Sequence, residues 1–234
     1  MRLCISSDVH GNVYPLKSML ENEKYDKGIF LGDIVDYGPS PDLALDIVRD
    51  NFDVILSGNH DHAAAYGVDC MCSKQNHELS VFTRENITMK KLSKDDLSFI
   101  RSLKYEEILD VDGLIFYLVH GKLGDPLYGY FYPWKDYEHI AHFKFEKKNV
   151  NYYLLGHTHY SFSFSVDGLN IINPGSIGQP RDGMEWPSYV ILDTKDHTIT
   201  TKRIKYNKDL LKKDLQQSVG DDKIISKLIV LFHL

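Results

Sequence analysis

Cysteine is scarce in this 234-residue chain, which holds only Cys4, Cys70 and Cys72. So small and odd a set argues against a disulfide framework and fits a reducing cytoplasm. Cys70-Met71-Cys72 lacks the further partners that a closed soft-metal site needs, so the pair reads as exposed loop thiols. Long apolar runs are missing too. The greasiest stretch, Ile224 to Leu234, falls well short of the roughly 20 residues of a membrane span, and no membrane role is expected. It reads instead as a terminal helix or strand docked on the domain or on a second subunit, which leaves a homo-oligomer open. Met1 to Ile5 is too short an apolar start for a secretory leader. A basic excess is absent as well: the net charge is −6, so nucleic acid is not an expected partner. An anionic substrate would need local positive charge, which metal ions can supply.

What is present suits a soluble globular protein, with 43% hydrophobic and 26% charged residues. The length fits one large domain. Short apolar runs at Arg2–Ser6, Lys27–Leu31 and Asp53–Leu56 alternate with helical spacing over Val13–Glu23 and after Pro41, where Ser40 is placed to cap. That alternation predicts an α/β fold with parallel strands. Residues 63–104 lack strand signals and read as a helical insertion, with helices near Lys74–Lys90 and Asp95–Leu103. Ser93 to Asp96 has the pattern of a capping box. Hairpins are expected at Asp112-Gly113 and Asp167-Gly168, and further strands at Tyr152–Leu155, Tyr189–Asp193 and Thr198–Ile204. A helix is predicted near Tyr137–Phe145 and another over Lys208–Gln217. The division is thus a domain over 1–205 and a helical, then apolar, tail over 206–234.

The chemistry converges on Gly58-Asn59-His60-Asp61, where Gly58 is expected to let the chain turn sharply after a strand. Asn59 offers an amide oxygen and His60 a proton donor. Four other apolar runs end in loops of similar kind, presenting Asp8 and His10, Asp33 and Asp36, His120, and His157 and His159. Ligands gather at the carboxyl ends of strands in open α/β sheets, which would bring these loops together. Imidazole, carboxylate and amide oxygen together suit Mn, Fe, Co, Ni or Zn, and Ca²⁺ or Mg²⁺ sites would be richer in oxygen. The candidate ligands are too many for one tetrahedral site and fit two metals that share a carboxylate.

The ordered set Asp8-x-His10, Gly32-Asp33-x-x-Asp36, Gly58-Asn59-His60-Asp61, His120-Gly121 and Gly156-His157-x-His159 resembles the calcineurin-like metallophosphoesterase superfamily. Asp8 to Asn12, Gly32 to Pro39 and Asn173 to Arg181 resemble its small bacterial and archaeal single-domain branch, which includes phosphodiesterases and dinucleoside polyphosphate hydrolases. The resemblance implies a four-layer αββα sandwich of two mixed sheets. It also implies two divalent metals, with manganese favoured. Asp8, His10 and His159 would hold one metal, and Asn59, His120 and His157 the other, with Asp33 bridging. A hydroxide between the metals would attack phosphorus. His60 would protonate the leaving oxygen, and Asp36 would hold the His60 ring.

The implied substrate is a small phosphorylated molecule, such as a nucleotide diester or dinucleoside polyphosphate. A phosphomonoesterase or phosphoprotein phosphatase, or a metal-bound non-catalytic binding protein, are the alternatives. Phosphoprotein phosphatases carry an arginine where this chain has Tyr37, which weakens that alternative. Arg181 stands as a substitute phosphate contact, against a loop-bracing salt bridge with Asp182 or a neighbour. Asn12 is a second candidate substrate contact, and His62 reads as a solvated loop histidine. Tyr128, Tyr130, Phe131, Tyr132 and Trp134 form an aromatic loop that is either packing or a stacking surface for a base.

Overall fold

A computed structural model describes residues 1–147 and 149–234, with the Phe145 side chain also left aside. The first half alternates as the apolar spacing predicts: β1 (Arg2–Ser6), α1 (Val13–Asn22), β2 (Lys27–Phe30), α2 (Pro41–Asn51) and β3 (Val54–Ile55). A helical stretch follows: α3 (Asn59–Tyr66), α4 (Lys74–Thr83), a π-helical turn (Arg84–Thr88), α5 (Met89–Lys91) and α6 (Lys94–Ser102). Then come β4 (Glu106–Val111), β5 (Leu114–Val119), α7 (Tyr137–Glu146), β6 (Tyr152–Leu155), β7 (Ser161–Val166), β8 (Leu169–Pro174), β9 (Ser188–Asp193) and β10 (Ile199–Arg203). Helices α8 (Lys208–Ser218) and α9 (Asp222–Leu231) end the chain.

The strands form two five-stranded mixed sheets, ordered β10-β9-β1-β2-β3 and β4-β5-β6-β8-β7. β1, β2 and β3 run parallel in the first sheet, and β5, β6 and β8 in the second. Side chains alternate across each strand. Leu3 and Ile5 meet Phe116, Leu118 and Leu154 between the sheets, while Cys4 faces Leu16, Met19 and Leu45 of the covering helices. Tyr117, Tyr153 and Leu155 pack against Ile140 and Phe143 of α7 on the far side. The result is the four-layer αββα sandwich.

Local rules explain the joints. Asp112 and Gly113 have φ of 55° and 79°, and Asp167 and Gly168 46° and 81°, as a tight type I′ hairpin requires. The Ser93 box is closed: Asp96 N–H donates to Ser93 Oγ at 3.1 Å and Ser93 N–H to Asp96 Oδ2 at 2.9 Å. Ser40 precedes α2 with Pro41 in its first turn, but makes no side-chain cap bond.

The tail resolves as a helix pair. Leu211, Leu215, Ile224, Ile225, Leu228 and Phe232 bury against Leu79, Ile87 and Tyr37. Each buried aliphatic of this size contributes about 1.5–3 kcal/mol before entropy. The apolar face of α9 is therefore covered by its own chain.

Candidate metal centre

Five loops leave the carboxyl ends of β1, β2, β3, β5 and β6 and meet at one edge of the sandwich. Their backbone is unusual there. Asp8, His10, Asp33, Asp36, Tyr37, His157 and His159 have φ between 45° and 68°. Left-handed backbone costs a non-glycine residue about 1–2 kcal/mol, so surrounding bonds must hold it. They do: Asp8 N–H donates to Gly32 O at 2.9 Å, His10 N–H to Asp33 O at 3.1 Å and Gly11 N–H to Ile34 O at 2.9 Å.

Gly58 corrects an expectation. Its φ is −91°, open to any residue. What it supplies is space, because a Cβ would strike the Asp33 carboxylate and backbone nitrogen.

Asp8, His10, Asp33 and His159 form one buried donor cluster, and Asp33, His120 and His157 a second, each with donor atoms within 4.8 Å of one another. Asp33 belongs to both: its Oδ2 lies 3.6 Å from His10 Nε2 and 3.4 Å from His120 Nε2. Asn59 completes the second group, with Oδ1 3.2 Å from His120 Nε2. Its amide Nδ2 donates to Cys70 O at 2.7 Å, which turns the oxygen inward.

The tautomers follow from main-chain partners. His10 Nδ1 lies 3.0 Å from Val35 O, and His159 Nδ1 2.6 Å from Gln179 O. A carbonyl only accepts, so both Nδ1 atoms carry hydrogen. Burial and cationic neighbours hold both rings below the usual histidine pKa, outweighing the nearby carboxylates. Their bare Nε2 lone pairs then face each other at 3.2 Å. Asp8 Oδ1 is buried 3.3 Å from His159 Nε2, which in this tautomer has no hydrogen to give it, so the oxygen lacks a hydrogen-bond partner. At the second group, burial lowers His120, but Asp33 and Asp8 draw a proton onto it and raise its pKa to about 9. Opposed lone pairs, an orphaned carboxylate oxygen and a histidine that attracts a proton all call for positive charge. The donors fit divalent metals.

Beside these clusters sits His60, with Nδ1 2.9 Å from Asp36 Oδ2. Burial lowers its pKa, but Asp33 and Asp36 outweigh this and hold it above the usual value. Two residues here escape a reading of the sequence. Arg84 binds Asp36 Oδ2 through Nε at 3.0 Å and Nη2 at 2.7 Å. It starts the π-helical turn, a feature frequent at functional sites, but the sequence there reads as plain helix. Asp61 accepts backbone N–H from Gly58, Asp33 and Ile34 at 2.8–2.9 Å and from Val35 at 3.2 Å. It thereby ties the Asn59 loop to the Asp33 loop. Burial and Asp33 push its pKa up to about 6, against those N–H groups. Its place within Gly58-Asn59-His60-Asp61 was the available signal.

Other candidates fall outside the clusters. Asn12 is fully buried and donates to Gly178 O at 2.8 Å, which braces that loop, while its Oδ1 has no hydrogen-bond partner. Arg181 donates through Nε to Gln179 Oε1 at 2.9 Å, while Asp182 pairs with Arg203, so of the two readings of Arg181 the bridge to Asp182 does not form. Cys70 is buried, not an exposed loop thiol, because α4 covers it. His62 lies in α3, not a loop, and its Nδ1 is 2.8 Å from Tyr105 Oη. The aromatic loop divides. Phe131 is buried under the second sheet. Tyr130 packs on His157, ring centroids 4.1 Å apart, and Tyr132 packs edge-on to Tyr160 at 5.7 Å. Tyr130, Tyr132, Tyr160, Arg181 and His233 line a cleft of about 560 Å³ beside the donors.

This αββα sandwich with paired His/Asp clusters at its strand ends belongs to the calcineurin-like phosphoesterase superfamily, whose domain profile matches residues 1–197. The chain is 30% identical over 232 residues to an uncharacterized protein of Methanocaldococcus jannaschii, covering 88% of each. A metallophosphoesterase from Sphaerobacter thermophilus superposes with a TM-score of 0.78 at 28% identity, over 97% of this chain and 98% of that one. A hypothetical protein from Pyrococcus horikoshii OT3 shares the fold, with a TM-score of 0.80 at 17% identity over 97% of both. No described helix is long and apolar enough to cross a membrane.

Proposed function

We propose that this protein is a metal-dependent hydrolase of phosphodiester or phosphoanhydride bonds. In this reading Asp8, His10 and His159 hold one divalent ion, and Asn59, His120 and His157 hold another, with Asp33 between them. Manganese is the first candidate within the set that mixed imidazole and oxygen donors suit. Two such ions supply Lewis acidity and an acidified water at neutral pH. The carrying observation is the Asp33 carboxylate, whose single oxygen Oδ2 lies near both His10 and His120.

The chain's own groups do the rest. Asp36 accepts the Nδ1 hydrogen of His60, which leaves Nε2 to carry the proton toward a leaving oxygen. Arg181 at the cleft offers one guanidinium to a phosphoryl oxygen. One guanidinium matches the single charge of a diester better than the double charge of a monoester. Tyr130, Tyr132 and Tyr160 present aromatic surface at the same cleft, which favours a nucleotide as the small phosphorylated substrate.

Purified protein loaded with Mn²⁺ should cleave an aryl phosphodiester, and His60→Ala should abolish turnover in protein that stays folded and keeps its metal content. Turnover that survives His60→Ala, or that survives chelation, would overturn the reading. Two bound metals with no turnover on any phosphate ester would favour a non-catalytic binding protein.

A further inference from the structure

Cys70 and Cys72 have no part in the proposed hydrolysis, yet the fold brings them together. Their Sγ atoms are 2.7 Å apart, and both thiols are free. The residue between them makes this possible. Met71 has φ of 51°, a left-handed backbone that costs a side-chain-bearing residue about 1–2 kcal/mol. Met71 is 66% exposed, so core packing does not explain its conformation. An extended chain would hold residues two apart about 6.6 Å from each other along the strand, and the turn at Met71 closes that gap. Cys70 is buried while Cys72 is only half-buried, so small solutes reach the pair through Cys72.

The pair touches the site at two points. Cys70 O accepts the Asn59 Nδ2 hydrogen at 2.7 Å, the bond that aims Asn59 Oδ1 at His120. Cys70 Sγ lies 3.3 Å from Ser80 Oγ, and Ser80 Oγ lies 3.2 Å from His60 Nδ1 and 3.3 Å from Asp36 Oδ2. Any change in the Cys70 backbone or sulfur therefore reaches both Asn59 and His60.

We propose that Cys70 and Cys72 form a reversible disulfide under peroxide, and that closing it disarms the adjacent centre. Peroxide converts the Cys72 thiol to a sulfenic acid and releases one water. Cys70 sulfur then attacks Cys72 sulfur, the S–S bond forms, and the hydroxyl leaves with the Cys70 hydrogen as a second water. Two electrons pass from sulfur to peroxide, and dithiol reductant reverses the change. The closed ring moves the Cys70 carbonyl away from Asn59. Loss of such an outer hydrogen bond weakens metal binding by about 10–100-fold. This consequence rests on Asn59 as a metal ligand, whereas the disulfide itself does not.

The test uses the full chain, metal-free, treated with hydrogen peroxide and followed by intact mass and peptide mapping. The expected result is a loss of about 2 Da, a Cys70–Cys72 cross-linked peptide, and recovery with dithiothreitol. Cys72→Ser, at the half-buried position, should show no such loss, and Cys4→Ser should behave as wild type. Wild type that keeps all its thiols alkylatable, or a cross-link through Cys4, would overturn the proposal. Mn²⁺ affinity is then measured for reduced and oxidised protein. Weaker binding after oxidation supports the coupling, and equal affinity overturns it. If reduced wild type binds no metal at all, the hydrolase reading fails, while the mass result still judges the thiol pair.

Discussion

Arg84 sets two nitrogens on one oxygen of Asp36, while Thr88 Oγ1 takes the other oxygen at 3.1 Å. The Asp36 carboxylate that meets His60 is thus buried and held by charge from the helical insertion. Removing one partner of a buried ion pair strands the other and costs about 3–5 kcal/mol. Arg84→Leu should therefore lower the unfolding free energy from a urea titration by that much. The double variant Arg84→Leu/Asp36→Leu should regain part of the loss. Where Arg84→Leu stays folded, its kcat against pH should be displaced, since Arg84 reaches His60 through Asp36 and through Ser80, whose Oγ it binds at 2.8 Å. An unchanged pH profile would reduce Arg84 to a structural brace.

The opposed Nε2 atoms of His10 and His159 imply that cations stabilise the fold. Adding Mn²⁺ to chelator-treated protein should raise the melting temperature. The gain is about 2.7 kcal/mol at one hundred times the dissociation constant. Asp33→Asn should lose most of that gain, because both clusters share this carboxylate. A melting curve indifferent to Mn²⁺, Zn²⁺ and chelator would count against both sites.

Asp61 bears on the same edge without joining either cluster. Asp61→Ala leaves several buried N–H groups without an acceptor, each costing about 1–3 kcal/mol. Loss of about 3 kcal/mol or more in chemical denaturation is expected, with Asp61→Asn milder because one oxygen remains. Equal stability of all three proteins would show that water fills the role.

Glu23 provides a pH test away from the centre. Burial raises its pKa, but bonds from Lys202 and Tyr189 and the charge of Arg2 outweigh this and hold it below the ordinary value. Its folded pKa is thus depressed. The stability it adds is fully present above the unfolded value of about 4.3 and is lost as pH falls through the lower, folded value. Melting temperature against pH should drop across that acid window, and Glu23→Gln should flatten the drop.

Arg181 gives a substrate test. Arg181→Ala should raise KM for an aryl phosphodiester by about tenfold or more, the worth of a charged hydrogen bond, with metal content unchanged. An unaltered KM would return Arg181 to bracing Gln179 alone.

Much of this protein is set by short-range sequence. Apolar runs in Arg2–Ser6 and Leu114–Val119, helical spacing after Val13 and Pro41, and Asp-Gly at two hairpins define elements through neighbouring residues, so they can be read locally. The candidate metal donors were legible for a related reason: each follows a strand, and parallel strands aim their ends at one edge. Tertiary structure alone decided the rest. Arg84 reaches Asp36 across 48 positions, and Cys70 turns from loop thiol to buried wall because α4 closes over it. Asn12 points inward because the Gly178 loop lies on it. Such contacts depend on where distant segments pack, and no local period or propensity encodes that.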